Sequence, residues 1–282
     1  MCHMDVPDFV IAGASKAGTE WVKLCLKEHP DIFVPVGLTP DYFSHRYSNS
    51  DQWYRSLFES SKTNQVTGEK STSYISCPLA ARRLYEFNPD VEVFFVLRDP
   101  IERAHSHYKM YLRKGKVDEN VDSVLSDESP LVREGLYYRQ ISRFLNYFDR
   151  NHVHILLFDD LKADSVTFLR DMYSRLGVDP TFTPEMADQR YHVTKARPRF
   201  QDLYNAVVAL IRELRKRTHW ANRWLEYFRK KGYVNVFHRL NRGQPFPELS
   251  DKRRKELADF YREDIEKLEQ MIGRDLSHWC SA

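Results

Sequence analysis

Apolar residues fall along this chain in two patterns, short unbroken runs and stripes of helical period. Near the N-terminus Phe9, Val10 and Ile11 run into Gly13, and small residues continue to Thr19. An unbroken apolar run bounded by glycine suits a strand buried on both faces. Trp21, Val22, Leu24, Cys25 and Leu26 then take helical spacing, which His29-Pro30-Asp31 ends. Residues 32–35 offer a short second strand, and residues 51–60 a helix carrying Trp53, Tyr54, Leu57 and Phe58. The stretch GEKSTSY at 68–74 reads as a polar turn leading to Pro78 and a helix through Phe87, closed by Pro89. VEVFFVL at 91–97 is the clearest buried strand, rich in β-branched and aromatic residues. A helix opening at Pro100, another at 139–148 and a strand at 153–158 follow. This alternation predicts a three-layer α/β domain with a mainly parallel central sheet, its ligand at the strand C-terminal ends.

Two of the predicted strand-to-helix junctions carry chemistry. At the first, small residues let backbone N–H groups approach an anion at the positive end of a helix. Lys16 adds a mobile positive charge, and Ser15 and Thr19 add hydroxyl donors. Glycine spacing alone fits any strand–turn–helix; lysine and threonine in the same loop point to phosphate or sulfate. A Walker loop places Lys-Ser/Thr directly after its second glycine. Here Gly18 is followed by Thr19 and Glu20, and Lys16 precedes it, which disfavours a P-loop small-molecule kinase. At the second junction Asp99 suits a helix cap and Pro100 a first helical turn. Arg98 supplies a forked donor and Ser106 a hydroxyl two turns in. Alone, Arg98 and Asp99 also fit a local ion pair, the lesser reading; two such junctions in one chain favour anion binding further.

SKAGTEW at 15–21 resembles the 5′-phosphosulfate loop of sulfotransferases, of the form Lys-x-Gly-Thr-x-x-Leu. LRDPIERAHSHY at 97–108 resembles the 3′-phosphate motif of their carbohydrate branch, and GEKSTSY resembles its Glu-Lys-Ser/Thr-Pro-x-Tyr segment. The likeness spans about residues 8–180 and 241–279. It implies 3′-phosphoadenosine 5′-phosphosulfate (PAPS) as donor and the bisphosphate PAP as product. Ser15, Lys16, Ala17, Gly18, Thr19, Glu20 and Trp21 would then hold the 5′ end, and Arg98 and Ser106 the 3′-phosphate. Tyr137, Arg242 and Gly243 would complete the cofactor set. Catalysis would use Lys16 on the leaving phosphate oxygen and Lys70 on the sulfuryl oxygens. Many relatives place their proton-accepting glutamate in a Lys-Glu-x-x-Phe-Phe loop, where this chain has LTPDYF, with Leu38 and Thr39 at the lysine and glutamate positions. Threonine accepts no proton near neutral pH, so Asp41 and His45, the nearest carboxylate and imidazole, become the candidate bases. Glu20 and Glu69 are weaker candidates for the base, since such residues serve to orient Lys16 or Lys70.

Composition narrows the rest. With 42% hydrophobic and 29% charged residues the chain has ordinary globular balance, and a net charge of +3 gives no argument for nucleic acid. Cys2, Cys25, Cys77 and Cys280 lack paired spacing, so free thiols in a reducing, cytoplasmic setting are expected. The early first strand leaves no room for a signal peptide, and no 18-residue apolar run suggests a transmembrane helix. The eleven histidines form no H-x-x-x-H or H-E-x-x-H set, and no metal is expected. Residues 1–282 read as a single domain with a helical basic insertion at about 200–240, either a solvated face, a lid over the acceptor, a docking surface for an acidic substrate or a membrane-surface helix. The expected function is sulfuryl transfer to a hydroxyl or amine of a small-molecule or glycan acceptor. A non-catalytic PAPS- or polyanion-binding protein is the alternative that Thr39 motivates. Tyr42, Phe43, His45, Tyr47, Trp53 and Tyr54 are a pocket for a small alcohol or phenol, sugar-stacking residues or core, and nothing in the sequence speaks to oligomeric state.

Overall fold

The computed structural model describes residues 7–35, 39–188, 243 and 245–280. Leu38, Arg242 and the basic insertion at 200–240 lie outside them. Strands β1 (Phe9–Gly13), β2 (Ile32–Phe33), β3 (Val66–Lys70), β4 (Glu92–Leu97) and β5 (Val153–Leu157) form one sheet. Their order is β2-β3-β1-β4-β5, and every neighbouring pair is parallel. All of β1 and all but the first residue of β4 are buried, as their unbroken apolar runs require.

Parallel strands need crossovers, and the helices provide them. In chain order these are α1 (Thr19–Glu28), α2 (Asp51–Ser56), α3 (Ala80–Phe87), α4 (Pro100–Arg113), α5 (Val121–Val124), α6 (Pro130–Arg133), α7 (Tyr137–Leu145), α8 (Phe158–Ala163), α9 (Ser165–Arg175) and α10 (Asp251–Ile272). Right-handed connections put α1 on one face, joined to α9 through the turn at 185–188. The opposite face carries α3, α4 and α7, with α10 packed across α4 and α7. The chain leaves β1 towards β2 and β3 on one side and returns to β4 on the other. This topological switch leaves a crevice at the C-terminal ends of β1 and β4.

Strand β3 corrects the expectation of a polar turn at 68–74. Its sequence, VTGEK, alternates too weakly to read as a strand, yet Thr67, Gly68 and Glu69 are buried. Each polar group is satisfied: Asp8 accepts from the Thr67 amide and hydroxyl, and three hydroxyls donate to Glu69. Gly68 lies so close to Phe9 that a Cβ there would meet the ring at 2.2 Å. Gly68→Ala should therefore destabilise the fold by about 1–3 kcal/mol, the usual cost of overpacking. Urea unfolding measures this, and an unchanged midpoint would mean that β3 does not pack on β1 as described.

The aromatic set divides: three of its residues are core, while His45 and Tyr47 are exposed and Trp53 is half-buried. Tyr42, Phe43 and Tyr54 are buried, and Tyr42 stacks on Tyr54 with centroids 4.5 Å apart. They pack with Phe58 and Phe87 beneath α2 and α3, away from the crevice.

Candidate active site

Three adjacent strands deliver the predicted residues to one place. β1 ends in the loop that carries Ser15 and Lys16, β3 ends in Lys70, and β4 runs directly into Arg98. Together with α4 they enclose a cavity of about 580 Å³, within the size range of small-molecule sites. Ser15, Lys16, Gly18, Thr19, Glu20, Trp21, Lys70, Arg98 and Ser106 all line it. Of the predicted loop only Ala17 does not, being buried beneath.

The loop backbone is shaped for an anion. Gly18 caps α1 in the left-handed region, at φ 86°, with no side-chain acceptor on the first-turn N–H groups. The first N–H groups of a helix lack internal partners and suit a phosphate. A Cβ on Gly18 would also press on Phe158 and Leu161 at 3.0 Å. Lys16 too is left-handed, at φ 71°, which turns its carbonyl towards the Arg98 guanidinium at 3.4 Å.

Lys16 reports the electrostatics. Burial, then repulsion from Arg113, Arg98, Lys114 and Lys70, pushes its ammonium below the ordinary lysine range. Like charges held together in this way favour an anion that relieves them. Two carboxylates temper the set. Glu20 meets Lys70 at 2.6 Å and Lys23 at 2.7 Å, while Glu102 meets Arg254 at 3.0 Å and Arg98 at 3.5 Å. Arg98 also lies over the Phe158 ring at 5.2 Å.

Other predicted residues stand off the cavity. Tyr137 is fully buried behind Arg98, donating its hydroxyl to the Arg98 carbonyl at 2.8 Å. It opens α7, whose first turn is capped by Asp264 of α10, which accepts from the Tyr138 and Arg139 amides. Tyr137 thus holds the Arg98 backbone and does not line the cavity. Gly243 is half-buried and does not line it either. Asp41 sits in a left-handed turn, at φ 49°, accepting from the Ser73 hydroxyl at 2.6 Å. His45 is exposed, and neither Asp41 nor His45 lines the cavity. Residues that sequence reasoning passed over do line it: Thr72, Phe158, and Glu102, His105, Lys109, Met110 and Arg113 of α4. Glu102, Ser106, Lys109 and Arg113 recur at helical spacing, the signal that marks one face of α4.

Behind Lys70, on the other face of β3, lies Glu69. Burial pushes its carboxyl from the ordinary 4.5 up to about 7, against hydroxyl bonds from Ser71, Tyr74 and Tyr54. Ser71 also accepts from the Asp41 amide at 2.8 Å, so this group pins the strand end that bears Lys70. A raised carboxyl pKa makes the folded state bind the proton more tightly than the unfolded state does. Its stabilisation is complete below pH 4.5 and lost as pH rises to about 7. Over that window wild type should lose on the order of 3 kcal/mol, and Glu69→Gln, which mimics the neutral acid, should flatten the loss. Equal pH slopes in the two proteins, by urea unfolding, would refute the assignment.

Known proteins share this architecture. The crystal structure of a sulfotransferase from Alicyclobacillus acidocaldarius superposes with a TM-score of 0.72 at 25% identity, covering 97% of this chain and 98% of that one. The mouse heparan sulfate glucosamine 3-O-sulfotransferase 3B1 is 26% identical over 279 residues, 96% of this chain and 64% of the relative. The human heparan sulfate glucosamine 3-O-sulfotransferase 6 is 30% identical over 185 residues, 63% of this chain and 54% of the relative. The chain therefore spans less than two thirds of the length of these curated relatives. The sulfotransferase domain model matches residues 6–236, which include all three strand ends at the cavity, and the chain belongs to the sulfotransferase domain family.

Proposed function

We propose that this protein transfers a sulfuryl group from PAPS to a hydroxyl, or less readily an amine, of a glycan or small-molecule acceptor. The observation that carries the reading is the convergence of Lys16, Lys70 and Arg98, from three adjacent strand ends, on one cavity that also holds Ser106. PAPS, when bound, supplies an activated sulfur–oxygen bond, so the chain itself needs only to bind, align and move a proton. Arg98 and Ser106 would hold the 3′-phosphate, with Tyr137 fixing Arg98 from behind. Loop N–H groups from Ala17 to Glu20, with Ser15 and Thr19, would cradle the 5′-phosphate. Lys16 would neutralise charge on the leaving oxygen and Lys70 on the sulfuryl oxygens. Arg242 and Gly243 are proposed as further cofactor contacts on the resemblance alone.

The relatives named for heparan sulfate glucosamine support a glycan acceptor, and Lys109 and Arg113 at the cavity suit an anionic one. We read residues 1–282 as one domain that includes the basic insertion at about 200–240. Cys25, Cys77 and Cys280 are free thiols among the described residues. Among the described residues no helix is long and apolar enough to cross a membrane.

Calorimetry with PAP, with ATP and magnesium, and with heparin tests the reading. Selective PAP binding supports it, whereas selective ATP binding returns the kinase and binding of heparin alone returns a polyanion binder. Turnover of labelled PAPS, with water or an alcohol as acceptor, then separates an enzyme from a silent PAP binder.

A further inference from the structure

We propose that Glu20 is the proton acceptor of this enzyme, taking the hydroxyl proton as Lys70 turns from it to the sulfuryl group. This deepens the sulfuryl-transfer reading and rests on it. The family's usual glutamate position is Thr39, and the two substitutes nearest in sequence, Asp41 and His45, stand off the cavity. Asp41 is committed elsewhere: its carboxylate accepts from Ser73 and its carbonyl from the Ser44 and Arg46 amides. Among the described residues, the carboxylates that line the cavity are Glu20 and Glu102. Glu102 is held by Arg254 and Arg98, on the side assigned to the 3′-phosphate. His105 lines the cavity too, but its Nε2 faces the Pro247 carbonyl at 2.9 Å and its Nδ1 faces Glu248 at 3.4 Å.

Glu20 is differently placed. Its Oε2 lies 2.6 Å from Nζ of Lys70, the lysine assigned to the sulfuryl oxygens. A carboxylate within one hydrogen bond of that lysine is in place to meet an oxygen attacking the same sulfur. Its Oε1 is held at 2.7 Å by Lys23, one turn along α1, which keeps it oriented when Lys70 leaves. The groups around it are cationic: Lys23 on α1, Lys16 in the loop, Lys70 on β3, and Lys109 and Arg113 across the cavity on α4. Burial raises its pKa, but the hydrogen bonds from Lys23 and Lys70 outweigh burial and hold it below the ordinary carboxylate range. Glu20 therefore waits as the anion. When Lys70 turns to the sulfuryl oxygens the carboxylate loses one of its two cations, and its proton affinity rises as the hydroxyl must be deprotonated. In the step, the acceptor oxygen bonds to sulfur and the bond from sulfur to the 5′-phosphate oxygen breaks. The electron pair goes to that oxygen, opposite Lys16, and the hydroxyl proton goes to Glu20 and then to water.

A carboxylate that only neutralised Lys70 and Lys23 would give the same contacts, so the test must isolate the proton. Glu20→Gln, Asp41→Asn and His45→Ala are compared with wild type in the full chain. The acceptors are a heparan sulfate oligosaccharide, water (as PAPS hydrolysis) and a nitrophenol already ionised at the assay pH. Glu20→Gln should lose roughly 10²–10⁴-fold in kcat on the protonated acceptors and less than tenfold on the nitrophenolate. Its PAP affinity, by calorimetry, should be equal to wild type or tighter, which also reports that it folds. Equal losses on protonated and ionised acceptors, or no loss on either, overturns the proposal. So does a loss confined to Asp41→Asn or His45→Ala. Failure of wild type to bind PAP would instead overturn the sulfuryl-transfer reading itself.

Discussion

Arg98→Ala should weaken PAP binding by two to four orders of magnitude while leaving the fold intact. A guanidinium can make two charge-assisted hydrogen bonds to a phosphate, each contributing roughly 1.5–3 kcal/mol, which together correspond to about 10²–10⁴ in Kd. In the structure Arg98 is already aimed. Its guanidinium donates to the Lys16 carbonyl, lies over Phe158 and faces Glu102, and its own carbonyl is held by Tyr137. Little side-chain entropy then remains to be lost on binding. Arg98→Lys should recover only part of the affinity, because an ammonium reproduces neither the fork nor the stacking on Phe158. Ser106→Ala removes one neutral donor and should cost about 1 kcal/mol, roughly fivefold. Adenosine 5′-monophosphate lacks the 3′-phosphate and should bind wild type and Arg98→Ala alike. Calorimetry at fixed salt measures all four, and unchanged PAP binding by Arg98→Ala would remove the arginine from the 3′-phosphate.

Why some of this was legible and some was not follows from how each signal is encoded. Strands β1 and β4 are continuous apolar runs, and burial on both faces demands that composition wherever the strands sit. The two strand-to-helix junctions at the cavity were readable because their signals are local: small residues, a lysine, an arginine and a cap within a few positions. Strand β3 was not, because its stability comes from partners distant in sequence, such as Tyr54 for Glu69 and Phe9 for Gly68. The cavity wall on α4 shows as a polar stripe of helical period, which a solvated face would show equally well. Only the neighbouring strands decide that Glu102, Ser106, Lys109 and Arg113 face inward. Distance along the chain is also a poor guide to which carboxylate lines the cavity. Asp41 is the nearest carboxylate to Thr39 in sequence, whereas Glu20 meets Lys70 across fifty residues. Tyr137 shows the reverse case, a motif residue whose place in the fold is behind Arg98 rather than beside the cavity.

Lys16→Ala should cut kcat by about 10²–10³ and weaken PAP binding far less, about tenfold. The difference arises because negative charge on the leaving phosphate oxygen grows as the sulfur–oxygen bond breaks, so a cation placed there contributes most in the transition state. Lys16 is suited to this in a way an exposed lysine is not. It is half-buried among Arg113, Arg98, Lys114 and Lys70, whose repulsion already disfavours its charge. Growing negative charge offsets that repulsion at the moment it appears, and removing the lysine leaves the other cations to bind the ground state. The backbone supplies a separate readout. At φ 71° a residue with a Cβ is crowded, and glycine is relieved of about 1 kcal/mol. Lys16→Gly should therefore be as slow as Lys16→Ala but more stable by about that amount in urea unfolding. Equal losses of turnover and PAP affinity in both variants would make Lys16 a ground-state binding residue. Recovery of turnover in the glycine variant would place the effect in the loop backbone instead of the charge.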